Sequence, residues 1–569
     1  MKKVFAVLLA VAMVTAMLAV LPLISSADEP TVWSGKANIK WYLDGKAENA
    51  EEWHIKTAED FAGLARIVNA SFNSCYSGVY YDSNYDVLGY QRTSDSAQKP
   101  YADTSLCYKP TADDGSQLVE GYSFEYQNVY LDADLVLNTG NAAEWGENPP
   151  ANVWLPIGGT LPDAATHPSF NGIFQGEGHT ISGAYYVSDP AKEVFCVGLF
   201  GYVGKNASSQ FRNLTVENCY FSANNSVGPL CGRSRGTLTV TNCRVKNCFV
   251  VGTLESRQQY GGMIGGAYGG GVTIQNCGIE NVTVICPRYL GGLIGVSNGQ
   301  SVSVKNSYIT GTVTAPTVDV VTPADPENGV EEKITKKFGC EAGIIAGRAV
   351  GGSYVVENVL MAVTVNQLGK AEDQTGDNLA QAGVIFAGKG SQGSYAPLAI
   401  ENIYCVPDFN AEAVAGIDEG IEGFSPLDTY DFNVVTLDAL TGPAAQSTLQ
   451  EFDFTDLWEV SETGLPQLRF AKLLEADIAA RGVEEETDDP NYSDRPVTPG
   501  KDNQTTAAET TAQEHPGTSG EPGTSDDPGT SGVPDAPDKK GCASVIAGIP
   551  AIGLILLSGA AVIRKKKEN

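Results

Sequence analysis

Two pairs of side chains in this 569-residue sequence have the types and spacing that acid–base chemistry needs. Asp132 and Asp134 fall two residues apart in an alternating run, which puts both carboxylates on one face of a strand. There they could bind a cation, or serve as acid and base on a sugar polymer. Glu177 and His179 flank Gly178, where a turn enters a strand. Each pair has a plainer reading, and it is the one expected: Asp132 and Asp134 as the solvated face of a half-buried strand, His179 as part of a turn or cap hydrogen bond. The sequence contains no HExxH and no GxxxxGK[ST] phosphate loop, and four histidines without a CxxC pair do not suggest a zinc cluster. No catalytic, cofactor-binding or metal-binding residue is assigned on these grounds.

What must position these side chains is a repeat. One five-residue phrase returns at Val197-Gly-Leu-Phe-Gly201, Gly228-Pro-Leu-Cys-Gly232, Gly261-Gly-Met-Ile-Gly265 and Gly291-Gly-Leu-Ile-Gly295, with starts 31, 33 and 30 residues apart. Its glycines are Gly198 and Gly201, Gly228 and Gly232, Gly262 and Gly265, Gly292 and Gly295. Each phrase is followed by a polar–apolar alternation that closes on an asparagine, Asn213, Asn242, Asn276 and Asn306. Weaker copies follow at Ala342–Ala346 with Asn358 and at Ala382–Phe386 with Asn402. A period in this range is what stacked supersecondary units produce. Three short strands per unit are expected, one carrying the phrase, one ending near Asn, and a β-branched one such as Val282-Thr-Val284. Stacked asparagines would form side-chain ladders along the axis, and glycine would serve corners of positive φ or close approach. Cys219, Cys243 and Cys277 follow repeat asparagines and read as small buried hydrophobes, although adjacent rungs are close enough for a disulfide.

The flanks read differently. Residues 1–27 have the charge, apolar run and small residues of a signal peptide. In the N-terminal cap and loop region, 28–123, Trp53–Asn69 reads as one amphipathic helix capped by Thr57 with Asp60, suited to cover the first rung, and Ser71–Gly121 as loops with a hairpin. Residues 124–405 are the repeat body, with Phe124–Asn138, Trp154–Gly158 and Phe170–Gly183 as strands ahead of the first phrase. The longer steps after Gly291 leave Ala315–Lys337 and Gln367–Asn378 as loops projecting from the stack, where solenoids commonly bind. Residues 406–482 form a C-terminal cap with a helix starting near Leu440–Ala445. Residues 483–540, acidic and rich in Pro and Thr, form a disordered spacer that at ~3 Å per residue reaches about 170 Å. In 541–569, Ala543 to Ile563 is an uncharged stretch long enough to span a bilayer, followed by Arg564–Lys567, which predicts a membrane anchor with its tail inside. A formal charge of −31 argues against a nucleic-acid partner, which needs concentrated Lys and Arg.

The residues of Trp154–Gly158, Phe170–Gly183, Gly198–Gly201 and the later Gly-Gly-Leu-Ile-Gly phrases, with Ile55–Ala65 before and Leu440-Thr-Gly and Trp458–Leu468 after, resemble the GLUG-motif surface proteins of bacteria over about residues 50–470. The resemblance implies an all-β fold, a right-handed parallel β-helix solenoid of the pectate-lyase type, and an adhesin-like cell-surface protein meeting an extracellular glycan or protein ligand. The family brings no shared catalytic residues. Pro229 departs from the phrase and predicts an edge or a bend, because proline gives no ladder donor. The tail has no LPxTG-like motif, and its Gly541-Cys542 resembles the Cys-containing sorting tails of some bacteria. A surface polysaccharide-active lyase or glycosidase, and a structural surface-layer component, are the alternative functions.

Overall fold

A chain that repeats every thirty or so residues can bury an apolar face only against its own neighbouring copies. In the computed structural model this happens by parallel pairing, each strand lying beside the same strand of the next repeat. The structure describes residues 31–482 apart from 72–74, 94–103, 160–166, 190–193, 253–257, 299–300, 323–332, 338–339, 368–381, 390–397, 412–430 and a few single positions. The signal peptide, spacer and Ala543–Ile563 segment read from the sequence lie outside the described residues. Among the described residues no helix is long and apolar enough to cross a membrane.

One coil shows the plan. The strands Phe195–Val197, Phe200–Val203, Ser208–Arg212, Thr215–Glu217 and Tyr220–Ala223 pair in parallel with Asn225–Val227, Cys231–Ser234, Thr237–Thr241, Arg244–Lys246 and Phe249–Gly252. A coil thus has five short strands rather than three. The phrase does not lie within a strand. It spans the bend between two, so that Leu199, Leu230, Met263 and Leu293 turn into the core and are buried. Pro229 sits in this bend, where its carbonyl still accepts from Leu199 N at 2.9 Å. In register Gly291 faces Gly343 and Gly343 faces Gly383, so the weaker copies begin one residue later than their spelling suggests. The result is mostly β and parallel, compatible with a β-helix-like solenoid. The same stacking takes in Glu52–Ile55 before it and Asp408–Ala411 and Phe432–Val434 after it.

Glycines and asparagines divide two tasks that the sequence reading had run together. None of the phrase glycines has positive φ. A Cβ on Gly232 would stand 2.4 Å from Val197 N, and one on Gly295 2.3 Å from Tyr260 N, so these positions are glycine because neighbouring backbones touch there. Positive φ is carried by asparagine. Asn213, Asn242, Asn276, Asn306, Asn358 and Asn402 all lie between +46° and +56°, the left-handed region that asparagine tolerates through local hydrogen bonding. Each turns the chain so that the next residue points inward, and the residues after Asn213, Asn242 and Asn276 are Leu214, Cys243 and Cys277, all buried. A second left-handed row, Asn218, Asn247 and Asn281, does the same for Cys219, Cys248 and Val282. The cysteines of these rows are therefore core residues, and Cys219, Cys243, Cys248 and Cys277 are free thiols.

The first coil is closed by helices. Helix α1 (Lys40–Glu48) buries Tyr42 against Trp53 and Phe124. The segment Trp53–Asn69 is not one helix: Glu52–Ile55 is a strand of the stack, and α2 begins at Ala58. Thr57 and Asp60 form the expected capping box. Helix α2 (Ala58–Asn69) inserts Phe61, Leu64, Ile67 and Val68 into the open end of the core, Phe61 stacking on Trp154 at 4.8 Å. Burying side chains of this size stabilises by about 1.5–3 kcal/mol each. Trp154–Gly158 is not a strand; Ile157 makes a single bridge to Phe200, and the Trp154 indole donates to Leu199 O. Tyr76–Tyr81, Val87–Arg92 and Gln117–Glu120 form a three-stranded antiparallel sheet, one strand more than a hairpin. The insertion at 315–337 is an antiparallel pair, Val318–Thr322 with Lys333–Lys337, and Gln367–Asn378 lies almost wholly outside the described residues. At the other end come α3 (Pro443–Thr448) and α4 (Phe470–Gly482).

Candidate functional site

The asparagine row is a continuous ladder. Asn242 Nδ2 donates to Asn213 Oδ1 at 3.0 Å, Asn276 to Asn242 at 3.1 Å, Asn306 to Asn276 at 3.3 Å, Asn358 to Asn306 at 3.0 Å and Asn402 to Asn358 at 3.0 Å. The Nδ2 of Asn213 has no asparagine below it and donates instead to Asp477 Oδ2 at 2.8 Å. Asp477 belongs to α4, which lies along this corner and runs back toward the first coils. Phe470 lies under the Arg244 guanidinium at 4.8 Å, Asp477 accepts from Arg212 Nη1 at 3.1 Å, and Arg481 reaches Glu177. Gly482 consequently lies at the N-terminal end of the stack.

This arrangement places all four residues that first suggested acid–base chemistry. Asp132 and Asp134 are not on a strand; they flank the bend that follows Asn128–Leu131. Their carboxylates go to different partners: His54 Nδ1 lies 2.9 Å from Asp132 Oδ1, and His179 Nδ1 lies 3.2 Å from Asp134 Oδ1, which also accepts from Thr180 N at 2.8 Å. Glu177 does not face His179 but receives the Arg481 guanidinium as a two-pronged fork, at 2.8 and 3.1 Å. Each acid is thus engaged in joining coil to coil or coil to α4. Among the described residues no three His, Cys, Asp or Glu side chains converge as metal ligands.

A second surface carries charge of the opposite sign. Two residues before each first glycine of the phrase stands a third left-handed row, Cys196, Ser226, Gln259, Tyr289 and Glu341, with φ from +52° to +84°. Its side chains are buried, outside the main core, and meet residues of the facing strands, so that only the arginines beside them reach the surface. Ser226 Oγ donates to Gln259 Oε1 at 2.7 Å, Gln259 donates to the Tyr268 hydroxyl, and Tyr289, Val296, Tyr268 and Val350 form a cluster of their own. Arginines lie over these rings: Arg233 above Tyr268 at 4.0 Å, Arg288 and Arg348 above Tyr289 at 4.7 and 4.5 Å. Arg348 also pairs with Glu341 at 3.0 Å. Burial pushes the Glu341 carboxyl up to about 7 even with Arg348 and Arg288 beside it. At the first rung Cys196 Sγ lies 3.7 Å from His167 Nδ1, but burial pushes that thiol up to about 12, so it stays a thiol and is no nucleophile at neutral pH. Sequence reasoning missed this row because its residue types change at every rung; the fixed offset from the glycine phrase was the available signal.

No family model matches the chain, and no solved structure matches it. Over 113 residues, 20% of this chain, it is 35% identical to Halomucin of Haloquadratum walsbyi, and that stretch spans about 1% of Halomucin's own length.

Proposed function

We propose that this chain is a cell-surface protein of adhesin type, akin to the GLUG-motif proteins, whose parallel coils form a right-handed β-helix, the hand that parallel crossover connections take. Ala543–Ile563 anchors it, residues 483–540 hold it away from the membrane, and its outer faces meet an extracellular glycan or protein. The observation that carries this reading is the asparagine ladder with its α4 strap, which makes a long body tied together along its axis, with the chain leaving it at one end. Such a body suits display, because it supports itself without a partner. The partial likeness to Halomucin, named as a mucin, leans toward the same placement.

The test is protease treatment of intact cells carrying the full chain with a tag after Asn569. Release of the body into the medium, with the tag kept in the membrane fraction and hidden from antibody, is the expected result. A body that stays cell-associated and protease-resistant until lysis would sink the proposal.

A further inference from the structure

We propose that the strip made by Arg233, Arg235, Arg288 and Arg348, backed by Tyr268 and the buried Tyr289, binds an acidic polysaccharide, one bearing carboxylate or sulfate groups along a linear chain. The proposal deepens the surface-display reading and rests on it only for where the ligand is met.

Register supplies the geometry. Arg233 faces Gly266, Gly266 faces Val296 and Val296 faces Arg348, so the two arginines stand on one line three rungs apart, about 14 Å at the spacing of parallel strands. Tyr268 stands on the rung after Arg233, and Arg288 with Tyr289 on the next. Charges repeated at rung spacing fit a polymer with repeated charges better than a single compact anion. The guanidinium fork matches the paired oxygens of carboxylate and sulfate. Resting on tyrosine rings, these arginines have already lost much of the freedom that binding would otherwise take from them.

Charge points the same way. The chain carries −31 overall, so a polyanion is repelled by most of its surface. In the strip four arginines stand against Glu341, which pairs with Arg348. An acidic peptide is less well served. The strands of this face are paired in parallel on both sides through successive rungs, which leaves no edge along the strip for strand addition, and side chains alone must do the reading. The part-exposed arginine forks are groups that read oxyanions.

The experiment measures binding of the purified full-length chain to polygalacturonate, heparin, neutral dextran and polyglutamate at low and physiological salt. Binding to at least one acidic polysaccharide, weakened by salt and absent for dextran, is expected. Arg235 is exposed and follows Arg233 by two residues, so R235Q should weaken binding severalfold. R233Q/R235Q should weaken it by about tenfold or more, a fold-change of the size expected for lost charge-assisted hydrogen bonds. R233K/R235K, with charge kept and fork lost, should fall between. No binding to either acidic polysaccharide, or equal binding by R235Q, R233Q/R235Q and the parent, overturns the proposal. Tighter binding of polyglutamate than of both polysaccharides overturns the ligand class. Because these readouts use purified protein, they stand apart from the cell-shaving result, which tests placement alone.

Discussion

Asn242 allows the stacking argument to be tested at one residue. Its side chain donates to Asn213 at 3.0 Å and accepts from Asn276 at 3.1 Å, and its backbone sits at φ +56°. Asn242→Ala removes both bonds, at about 1 kcal/mol each, and strands their partners, of which Asn213 is buried. It also places a Cβ in the left-handed region at a cost of about 1–2 kcal/mol. Asn242→Gly removes the same bonds without that strain. Glycine is ordinarily the worse residue in a strand by ~0.5–1 kcal/mol, so the two terms oppose each other and strain wins. The expected order is parent, then N242G at about 2 kcal/mol below it, then N242A at about 3 kcal/mol below. Thr239, in the straight part of Thr237–Thr241, serves as the control, because there T239A should be the more stable of the Ala and Gly variants. Guanidinium midpoints read by circular dichroism at unchanged slope give the order. If N242A matches or exceeds N242G, or both lie within about 0.5 kcal/mol of the parent, the ladder is ornament and the account of the corner is wrong.

Two further outcomes follow from α4 and from the arginine strip. Asp477→Ala leaves Arg212 and Asn213 without their acceptor, which should weaken the seating of α4 by about 2–3 kcal/mol and speed trypsin cleavage at Arg469 and Arg481, while the coils keep their protection; unchanged cleavage would mean that the helix is held by something else. Glu341 gives a pH signature. Its folded value of about 7 lies above the ordinary 4.5, so between those values the folded state holds a proton that the unfolded state has released. Stability from this group is therefore greatest at the acid end, declines as pH rises through that window, and is level above it. Glu341→Gln should remove the decline, leaving the variant ahead of the parent by about 3 kcal/mol at most above pH 7 and level with it near pH 4.5. Melting temperatures of the two proteins that run parallel from pH 4.5 to 8 would contradict this.

The repeat was legible because stacked copies put like residues on like positions, and Asn213, Asn242, Asn276 and Asn306 are spelled alike at every rung. The phrase glycines were legible for the same reason, although only coordinates separate close approach at Gly232 and Gly295 from positive φ at the asparagines. Helix α4 was not found because hydrophobic periodicity looks for an apolar face, and Phe470–Gly482 seats itself instead through Asp477 and Arg481. Its run of Ala, Leu, Lys and Glu closed by Gly482 was a helix signal of another kind, one of propensity and ending rather than of pattern. Strand Glu52–Ile55 was absorbed into the helix after it because four residues are too few for a period to appear; what fixes them is parallel pairing with Asn128–Leu131, a partner more than seventy residues away. The acid–base candidates show the reverse limit. Spacing brought Asp132 near Asp134 and Glu177 near His179, but the fold pairs His54 with Asp132 and His179 with Asp134 across coils, because in a stack a residue's partners lie one repeat away rather than two positions along, and it gives Glu177 to Arg481 of α4. The same rule hid the Arg233–Tyr268 and Arg348–Tyr289 contacts, each made across rungs. In such a chain chemistry is assembled along the axis, and residues are best compared at equal offsets from the glycine phrase.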